Sequence, residues 1–268
     1  MKQSYPFKFI YNRTPITVIN DVPYFGSERE ADQFTEEDIL FWTTGGGFER
    51  RWRDRGTPNE YRNPVYIDLC RKAAELNLPV MDIACGPGLG ILPDIYAMNP
   101  TIQALAVDGC PILVEKWNEF INRKAPKTNI EFASFHVADM PIHSSSVDVI
   151  TSNIGFSSLR YAGTDQMLGI KEAYRVLKPG GHVFAIENEF EDNTVVQKAF
   201  DLWGKENWFR ENKLSWRERF KKAGFVIEEE KLHLRRIEKD DWQLGEVAAS
   251  FGLEIAVIFK AFILKKPK

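Results

Sequence analysis

The sequence predicts an α/β fold built on a doubly wound, mostly parallel sheet with helices on both faces. Apolar strand-like segments alternate with helical segments over residues 80–187, and this alternation is typical of a parallel sheet with right-handed crossovers. The first strand carries Asp82 near its end and runs into a glycine-rich turn at 86–90. A buried parallel strand has this pattern when the following loop passes close under a ligand.

The remaining elements are predicted from local signals along the chain. Thr35-Glu36-Glu37-Asp38 is a helix start in an N-terminal region rich in aromatic and charged residues. Pro179 ends a helix, and Gly180-Gly181 supplies the turn into the next strand. The predicted helices are 68–76, 172–177 and 216–224, and the predicted strands are 80–83, 104–108, 130–136, 147–152, 182–187, 225–227 and 256–264. An insertion occupies about 190–215.

The glycine-rich turn is typical of several sites that bind a nucleoside-containing ligand, and NAD is the first candidate to test. The dinucleotide fingerprint G-x-G-x-x-G requires a third glycine at position 91, where this chain has Ile91, and Gly90 comes one residue early. This spacing counts against an NAD-binding site. Asp108 ends the second strand, where a carboxylate accepts from two ribose hydroxyls, and it suits any nucleoside.

Five segments in order resemble the motifs of the class I S-adenosylmethionine (SAM) dependent methyltransferases. They are residues 80–90, 104–109, 130–141, 142–153 and 172–184, the last containing Leu177-Lys178-Pro179-Gly180-Gly181. The resemblance implies a seven-stranded sheet whose last strand, 256–264, is antiparallel. It also implies an N-terminal helical lid over residues 1–66, followed by a SAM-binding domain over 67–268.

The resemblance also implies which residues bind SAM and its product S-adenosylhomocysteine. Asp82 helps to hold the methionine end, Asp108 binds the ribose, and Asp139 accepts from the adenine amino group. Met140 packs on the adenine ring, and Asn153 approaches the reactive end. The full predicted cofactor set is Asp82, Ala84, Cys85, Gly86, Gly88, Asp108, Gly109, Asp139, Met140 and Asn153.

Candidates for acceptor binding follow strands four and five and the N-terminal region. Glu187 is a candidate to orient or deprotonate the acceptor, or else a solvated strand end. Tyr161 is a candidate hydrogen-bonding group, or else an ordinary half-buried tyrosine. Trp42, Trp52 and Phe156 are candidate substrate or lid contacts, and packing of the tryptophans on the sheet is the alternative.

Composition narrows the class of partner. The chain has 268 residues, a net charge of -3 and no basic stripe of the kind that binds nucleic acid. Apolar runs of membrane-spanning length are absent from the sequence. The three cysteines and four histidines lack metal-ligand spacing, so we expect no metal. These features favour a cytoplasmic monomer or homodimer that acts on a small molecule.

The functional prediction is transfer of a methyl group from SAM to a small-molecule acceptor by in-line displacement. Alignment of nucleophile, methyl group and sulfur then supplies most of the catalysis. Two alternatives stay open: a SAM-binding regulatory or scaffold protein without turnover, and an NAD-linked oxidoreductase. O-, N- and C-methylation are not distinguished, because the first seventy residues hardly resemble the family.

Overall fold

The computed structural model describes residues 10–26, 37, 40, 44, 46–159, 165–207, 214–238 and 243–268. Their strands form one mixed sheet in the order β1-β2-β5-β4-β3-β6-β7-β9-β8. The strands are β1 Thr17–Ile19, β2 Val22–Tyr24, β3 Val80–Ile83, β4 Gln103–Asp108, β5 Asn129–Ser134, β6 Val147–Asn153, β7 Leu177–Phe190, β8 Val226–Glu238 and β9 Ile255–Lys265. The predicted α/β sheet is confirmed, but the predicted count of seven strands is wrong, since the sheet has nine.

The two unpredicted strands form a hairpin at one edge of the sheet. β1 pairs with β2 in antiparallel register, and Tyr24 of β2 pairs in parallel with Ser134 of β5. Asn20 and Asp21 at the turn both have positive φ angles, of 51° and 67°, as a two-residue hairpin turn of type I′ requires. Three-residue strands are too short to show an alternating pattern in sequence.

The central strands β3 to β7 run parallel, and the predicted antiparallel last strand is confirmed. β9 pairs in antiparallel register with both β7 and β8, which it separates. β3 pairs in parallel with both β4 and β6, so the strand order reverses at β3. Ligands of open α/β sheets bind at such a switch point, beyond the carboxyl ends of the strands.

Helices cover both faces of this sheet. They are α1 Gly47–Arg53, α2 Pro64–Glu75, α3 Leu92–Met98, α4 Pro111–Lys124, α5 Gly155–Ser158, α6 Gln166–Val176, α7 Asn193–Trp203, α8 Trp216–Ala223 and α9 Gln243–Ser250. Alternate residues of each strand enter opposite cores, so Val80 packs in the cluster containing α2 and α4, while Met81 packs in the cluster containing α6 and α8. No helix in the described ranges is long and apolar enough to span a bilayer.

Capping residues explain where several helices begin and end. The predicted helix at 216–224 is confirmed: Ser215 forms a capping box with Glu218, and Gly224 ends α8 in a left-handed conformation. The helix predicted at 68–76 starts earlier, at Pro64, because the Asn63 side chain accepts from the first backbone N–H groups of α2. The sequence assigned no range to α1, α3, α4, α5, α7 or α9.

The helix predicted at 172–177 is longer at its start, since α6 runs from Gln166 to Val176. The prediction that Pro179 ends this helix and that Gly180-Gly181 forms a turn before the next strand is wrong, because all three residues lie within β7.

The N-terminal 66 residues differ from the expected helical lid in their described part. This described part contains the β1–β2 hairpin and the short helix α1. The predicted domain boundary between residues 66 and 67 falls inside α2. The helix start expected at 35–38 lies outside the described residues except for Glu37. The lid and the two-part division of the chain therefore stay predictions. The insertion at about 190–215 contains α7, capped by Asp192.

Candidate functional site

The loop after β3 folds tightly around the side chain of Asp82. Gly90 has a φ angle of +51°, and a Cβ atom built on it would lie 1.9 Å from Asp82 Oδ1. Asp82 Oδ2 accepts from the Thr151 hydroxyl at 2.5 Å and from the Ile91 backbone N–H at 3.4 Å. Burial raises the pKa of Asp82 to about 7. This carboxyl is fully buried and supports the loop from below.

Asp108, at the end of β4, fastens the same loop from the other side. Its Oδ2 accepts from the Gly86 backbone N–H at 2.8 Å, and its Oδ1 accepts from the Cys110 N–H at 2.9 Å. The Trp117 indole N–H donates to the Gly86 carbonyl at 3.2 Å. Two backbone donors therefore fix the orientation of a carboxyl group that remains 7% exposed.

A cavity of about 370 Å³ opens at the carboxyl ends of β3 to β6. It is lined by Ala84, Cys85, Gly86, Pro87, Gly88, Gly90, Asp108, Gly109, His136, Val137, Asn153, Gly155, Ser158 and Leu159. Seven predicted cofactor residues lie on this lining: Ala84, Cys85, Gly86, Gly88, Asp108, Gly109 and Asn153. The structure thus brings together most of the predicted set at the switch point of the sheet.

Three predicted cofactor residues do not line the cavity. Asp82 is buried beneath the loop. Asp139 is exposed and pairs with Arg13 at 2.8 Å, and Met140 is buried with its backbone N–H donating to Glu172. β5 ends at Ser134, two residues before the predicted end at His136. His136 and Val137 therefore occupy the cavity wall where Asp139 and Met140 were expected, and sequence reasoning missed both.

Glu187 is a structural anchor in this arrangement. It is fully buried and accepts from the Ser152 and Ser157 hydroxyls, both at 2.7 Å, and from the backbone N–H groups of Phe156 and Ser157. It is absent from the cavity lining. Burial raises the pKa of Glu187 to about 7. Its hydrogen bonds hold the turn after β6, where Ile154 has a positive φ of 64°.

Because its pKa is raised, Glu187 makes folding stability depend on pH, and Glu187→Gln removes that dependence. The carboxyl ionises near 4.5 in an unfolded chain but near 7 in the folded protein. The contribution of Glu187 to the free energy of unfolding is complete below the pKa of the unfolded state. It is lost as pH rises through the pKa of the folded state. We expect the free energy of unfolding of the wild type to fall by roughly 1–3 kcal/mol relative to that of the variant across this interval.

Urea unfolding of the wild type and Glu187→Gln at several pH values between 4.5 and 7 measures this difference. Asp82 titrates in both proteins, so its contribution cancels. Parallel pH profiles for the two proteins would contradict the expected shift of the Glu187 pKa.

The other predicted substrate residues lie away from the cavity or outside the described chain. Phe156 is fully buried, with its ring centroid 5.9 Å from that of Phe220 in the core. Trp52 is buried against Tyr96, and Arg55 lies over its ring, in agreement with the packing alternative. Trp42 and Tyr161 lie outside the described residues.

A buried charge cluster that the sequence did not reveal supports the glycine-rich loop from α1. The Arg51 guanidinium donates to the carbonyls of Gly88 and Gly90, at 2.8 and 2.9 Å, and pairs with Asp94 at 2.8 Å. Arg62 approaches the second oxygen of Asp94 at 3.4 Å. Two guanidinium groups share one carboxylate, so the cluster carries an excess positive charge beside the loop. Arg51 Nη1 has no hydrogen-bond partner within the described ranges.

An aromatic cluster adjoins the cavity on the side of β6. The Tyr61 hydroxyl donates to Asn153 Oδ1 at 2.5 Å, and the Tyr61 ring packs edge-on against His233, with centroids 4.8 Å apart. His233 is the extra residue of a β-bulge in β8, a device that redirects side chains. Its Nδ1 lies 3.2 Å from Asn63 Oδ1. Burial lowers the pKa of His233 to about 4, so the ring is neutral at pH 7.

The described residues contain no group of three or more His, Cys, Asp or Glu side chains arranged to hold a metal ion. The three cysteines are free and buried. Burial raises the pKa of the Cys85 thiol well above its usual value, which leaves it unreactive and favours a packing role for this residue within the loop.

Comparisons with known proteins identify the family of the chain. Residues 60–211 match the model of the ubiE/COQ5 methyltransferase family. The chain is 26% identical over 178 residues to a demethylmenaquinone methyltransferase of Lactococcus lactis, covering 58% of this chain and 69% of that protein. It is 22% identical over 203 residues to the ubiquinone/menaquinone biosynthesis C-methyltransferase UbiE of Agrobacterium fabrum, covering 76% and 70%.

A solved structure shares the fold. The YcgJ protein of Bacillus subtilis superposes with a TM-score of 0.50 at 19% identity, covering 75% of this chain and 98% of that protein. The family match spans more than half of the chain and favours the methyltransferase prediction over the NAD-linked and non-catalytic alternatives. The chain therefore belongs to the ubiE/COQ5 methyltransferase family, and it is a SAM-dependent methyltransferase.

Proposed function

We propose that this enzyme methylates a ring carbon of a reduced quinone. One observation carries the proposal: the cavity that contains Asp108 is joined through the Tyr61–Asn153 hydrogen bond to the aromatic cluster of Tyr61, Tyr66 and His233. Tyr66 and His233 are buried, so the partly exposed Tyr61 is the member of this cluster that suits a flat aromatic acceptor. The names of the Lactococcus and Agrobacterium relatives, a demethylmenaquinone methyltransferase and a quinone-biosynthesis C-methyltransferase, support this class of acceptor.

The cavity and the residues that support its glycine-rich loop fit SAM in three respects. Asp108 has lone pairs left over after accepting from two backbone N–H groups, and a carboxylate of this kind accepts from ribose hydroxyls. A side chain at Gly90 would overlap Asp82, so this glycine lets the loop close over that buried carboxyl, and the residues of the closed loop line the cavity. The excess positive charge of Arg51, Arg62 and Asp94 suits the carboxylate of the cofactor's amino-acid end.

SAM supplies an activated methyl group on a sulfonium sulfur, so the protein mainly contributes alignment. Asn153 stands on the cavity wall, and Tyr61 fixes its amide orientation. Glu187 holds the turn that carries Asn153 and Gly155. We assign Tyr61 and Glu187 as positioning residues and Asn153 as the residue facing the transferred group.

Tyr61→Phe removes only the hydroxyl that orients Asn153. We expect kcat to fall about fivefold, because one buried hydrogen bond contributes about 1 kcal/mol. The dissociation constant for S-adenosylhomocysteine is expected to stay within about threefold of the wild-type value. Steady-state methyl transfer and calorimetric titration measure the two quantities. Equal losses in kcat and in affinity would contradict the assigned role.

Calorimetric titration with SAM, S-adenosylhomocysteine and NAD tests the cofactor. Radiolabelled SAM with a reduced naphthoquinone lacking its ring methyl group, a catechol and a primary amine then tests the acceptor. We expect binding of the two sulfur-containing nucleosides and label on a ring carbon of the naphthoquinol. Cofactor binding without any product would favour the regulatory alternative, and label on oxygen or nitrogen would contradict carbon methylation.

A further inference from the structure

The purine end of the cavity is built from residues that follow β5. Under the proposed cofactor placement, on which this inference rests, the amino-acid end lies at the glycine-rich loop after β3 and the ribose lies at Asp108 after β4. The base then extends to the next strand in the sheet, which is β5. His136 and Val137 line the cavity there.

A backbone contact determines which nitrogen of His136 carries hydrogen. The Ala138 backbone N–H donates to His136 Nδ1 at 3.2 Å. A ring nitrogen that accepts a hydrogen bond carries no proton, so the neutral imidazole has its hydrogen on Nε2. Burial lowers the pKa of His136, which keeps this ring neutral at pH 7. The side chain is half-buried and offers a donor at Nε2.

The cavity lacks a second carboxylate for the purine amino group. Among its lining residues, all of them in the described part of the chain, Asp108 is the one carboxylate. It already accepts from Gly86 and Cys110 and is assigned to the ribose. Asp139 was expected to accept from the amino group, but it is turned towards solvent and bound to Arg13.

We propose that His136 recognises the cofactor's purine by donating a hydrogen bond from Nε2–H to a ring nitrogen. Recognition of the base then depends on a ring-nitrogen acceptor and is tolerant of the loss of the exocyclic amine. The direction of the hydrogen bond is thus reversed: His136 donates to the base, whereas a carboxylate would accept from the exocyclic amine. His136 is therefore a specificity-determining residue of the cofactor site.

The test is calorimetric titration of the full chain with S-adenosylhomocysteine and with analogues altered at one atom of the base. Replacing the exocyclic amine by hydrogen is expected to change the dissociation constant by less than about threefold. One of the 1-deaza, 3-deaza and 7-deaza analogues is expected to bind about tenfold more weakly. A tenfold loss on removal of the amine, or three deaza analogues that all bind like the parent, would overturn the proposal.

His136→Asp exchanges the donor for an acceptor and is expected to acquire a preference of about tenfold for the ligand that keeps its amine. His143→Asp makes the same change at an exposed position outside the cavity and should bind both ligands like the wild type. The dissociation constants of the base analogues for the wild type test the proposal even if His136→Asp fails to fold. Absence of binding by the wild type to every nucleoside would overturn the cofactor site itself, and with it this inference.

Discussion

Asp108→Ala is expected to weaken the binding of S-adenosylhomocysteine about 100-fold or more. The proposed ribose hydrogen bonds go to a charged acceptor, and each such bond contributes about 1.5–3 kcal/mol. A loss of about 1.4 kcal/mol corresponds to about a factor of ten in the dissociation constant. The substitution also leaves the backbone N–H groups of Gly86 and Cys110 without their acceptor, which loosens the loop that contacts the ligand.

Asp139→Ala is the matched control for this substitution. It removes a carboxylate three residues after the cavity-lining His136, but this carboxylate is exposed and lies outside the lining. We expect its effect on the dissociation constant to stay within about threefold. Calorimetric titration of both variants gives the comparison, after thermal unfolding has shown that each is folded. Wild-type affinity in Asp108→Ala would exclude this residue as the ribose ligand.

Gly90→Ala is expected to lower the free energy of unfolding by about 2–5 kcal/mol, from the sum of two effects. The first is the left-handed backbone at φ +51°, which costs an L-residue about 1–2 kcal/mol. The second is overlap, since the new Cβ would lie 1.9 Å from Asp82 Oδ1. Asp82 is fully buried and accepts a hydrogen bond from Thr151, so displacement of its side chain costs free energy.

Gly252→Ala separates these two effects. Gly252 also has a positive φ, of +68°, but no atom in the described part of the chain would lie within 4 Å of a Cβ atom at this position. This variant should therefore lose only about 1–2 kcal/mol. Urea unfolding monitored by tryptophan fluorescence measures both. Equal losses in the two variants would show that the loop moves away from Asp82 without difficulty.

The central part of the fold was predictable because its signals are local. Apolar strands that end in acids and a glycine-rich turn indicated the order of β3 to β7, and Asp108 lies on the cavity lining. The predicted role of Pro179 was wrong, because the helix ends at Val176 and Pro179 lies within β7. The β1–β2 hairpin escaped prediction because each strand has only three residues. Its turn, Asn20-Asp21, was the one available signal.

The direction in which a strand-end carboxyl points was the main feature that sequence could not provide. Asp82, Asp108 and Glu187 are all acids near the ends of parallel strands, yet only Asp108 lines the cavity. Thr151 and Ser152 on β6 donate to Asp82 and Glu187 respectively, and strand register rather than composition brings these donors close. The shift from Asp139 to His136 has a similar origin, because β5 ends two residues earlier than predicted and earlier side chains of the following segment then line the site.

The placement of β9 between β7 and β8 has a consequence for how the chain is made. During synthesis β8 emerges before β9, yet it has no strand partner until β9 is available, since β9 pairs with both β7 and β8. The nascent protein therefore presents two free strand edges at the same time. Free edges are templates for wrong pairing between chains, and late, non-local pairing prolongs their exposure. The interval between translation of β8 and of β9 is thus the period in which we expect this enzyme to depend most on ribosome-associated chaperones.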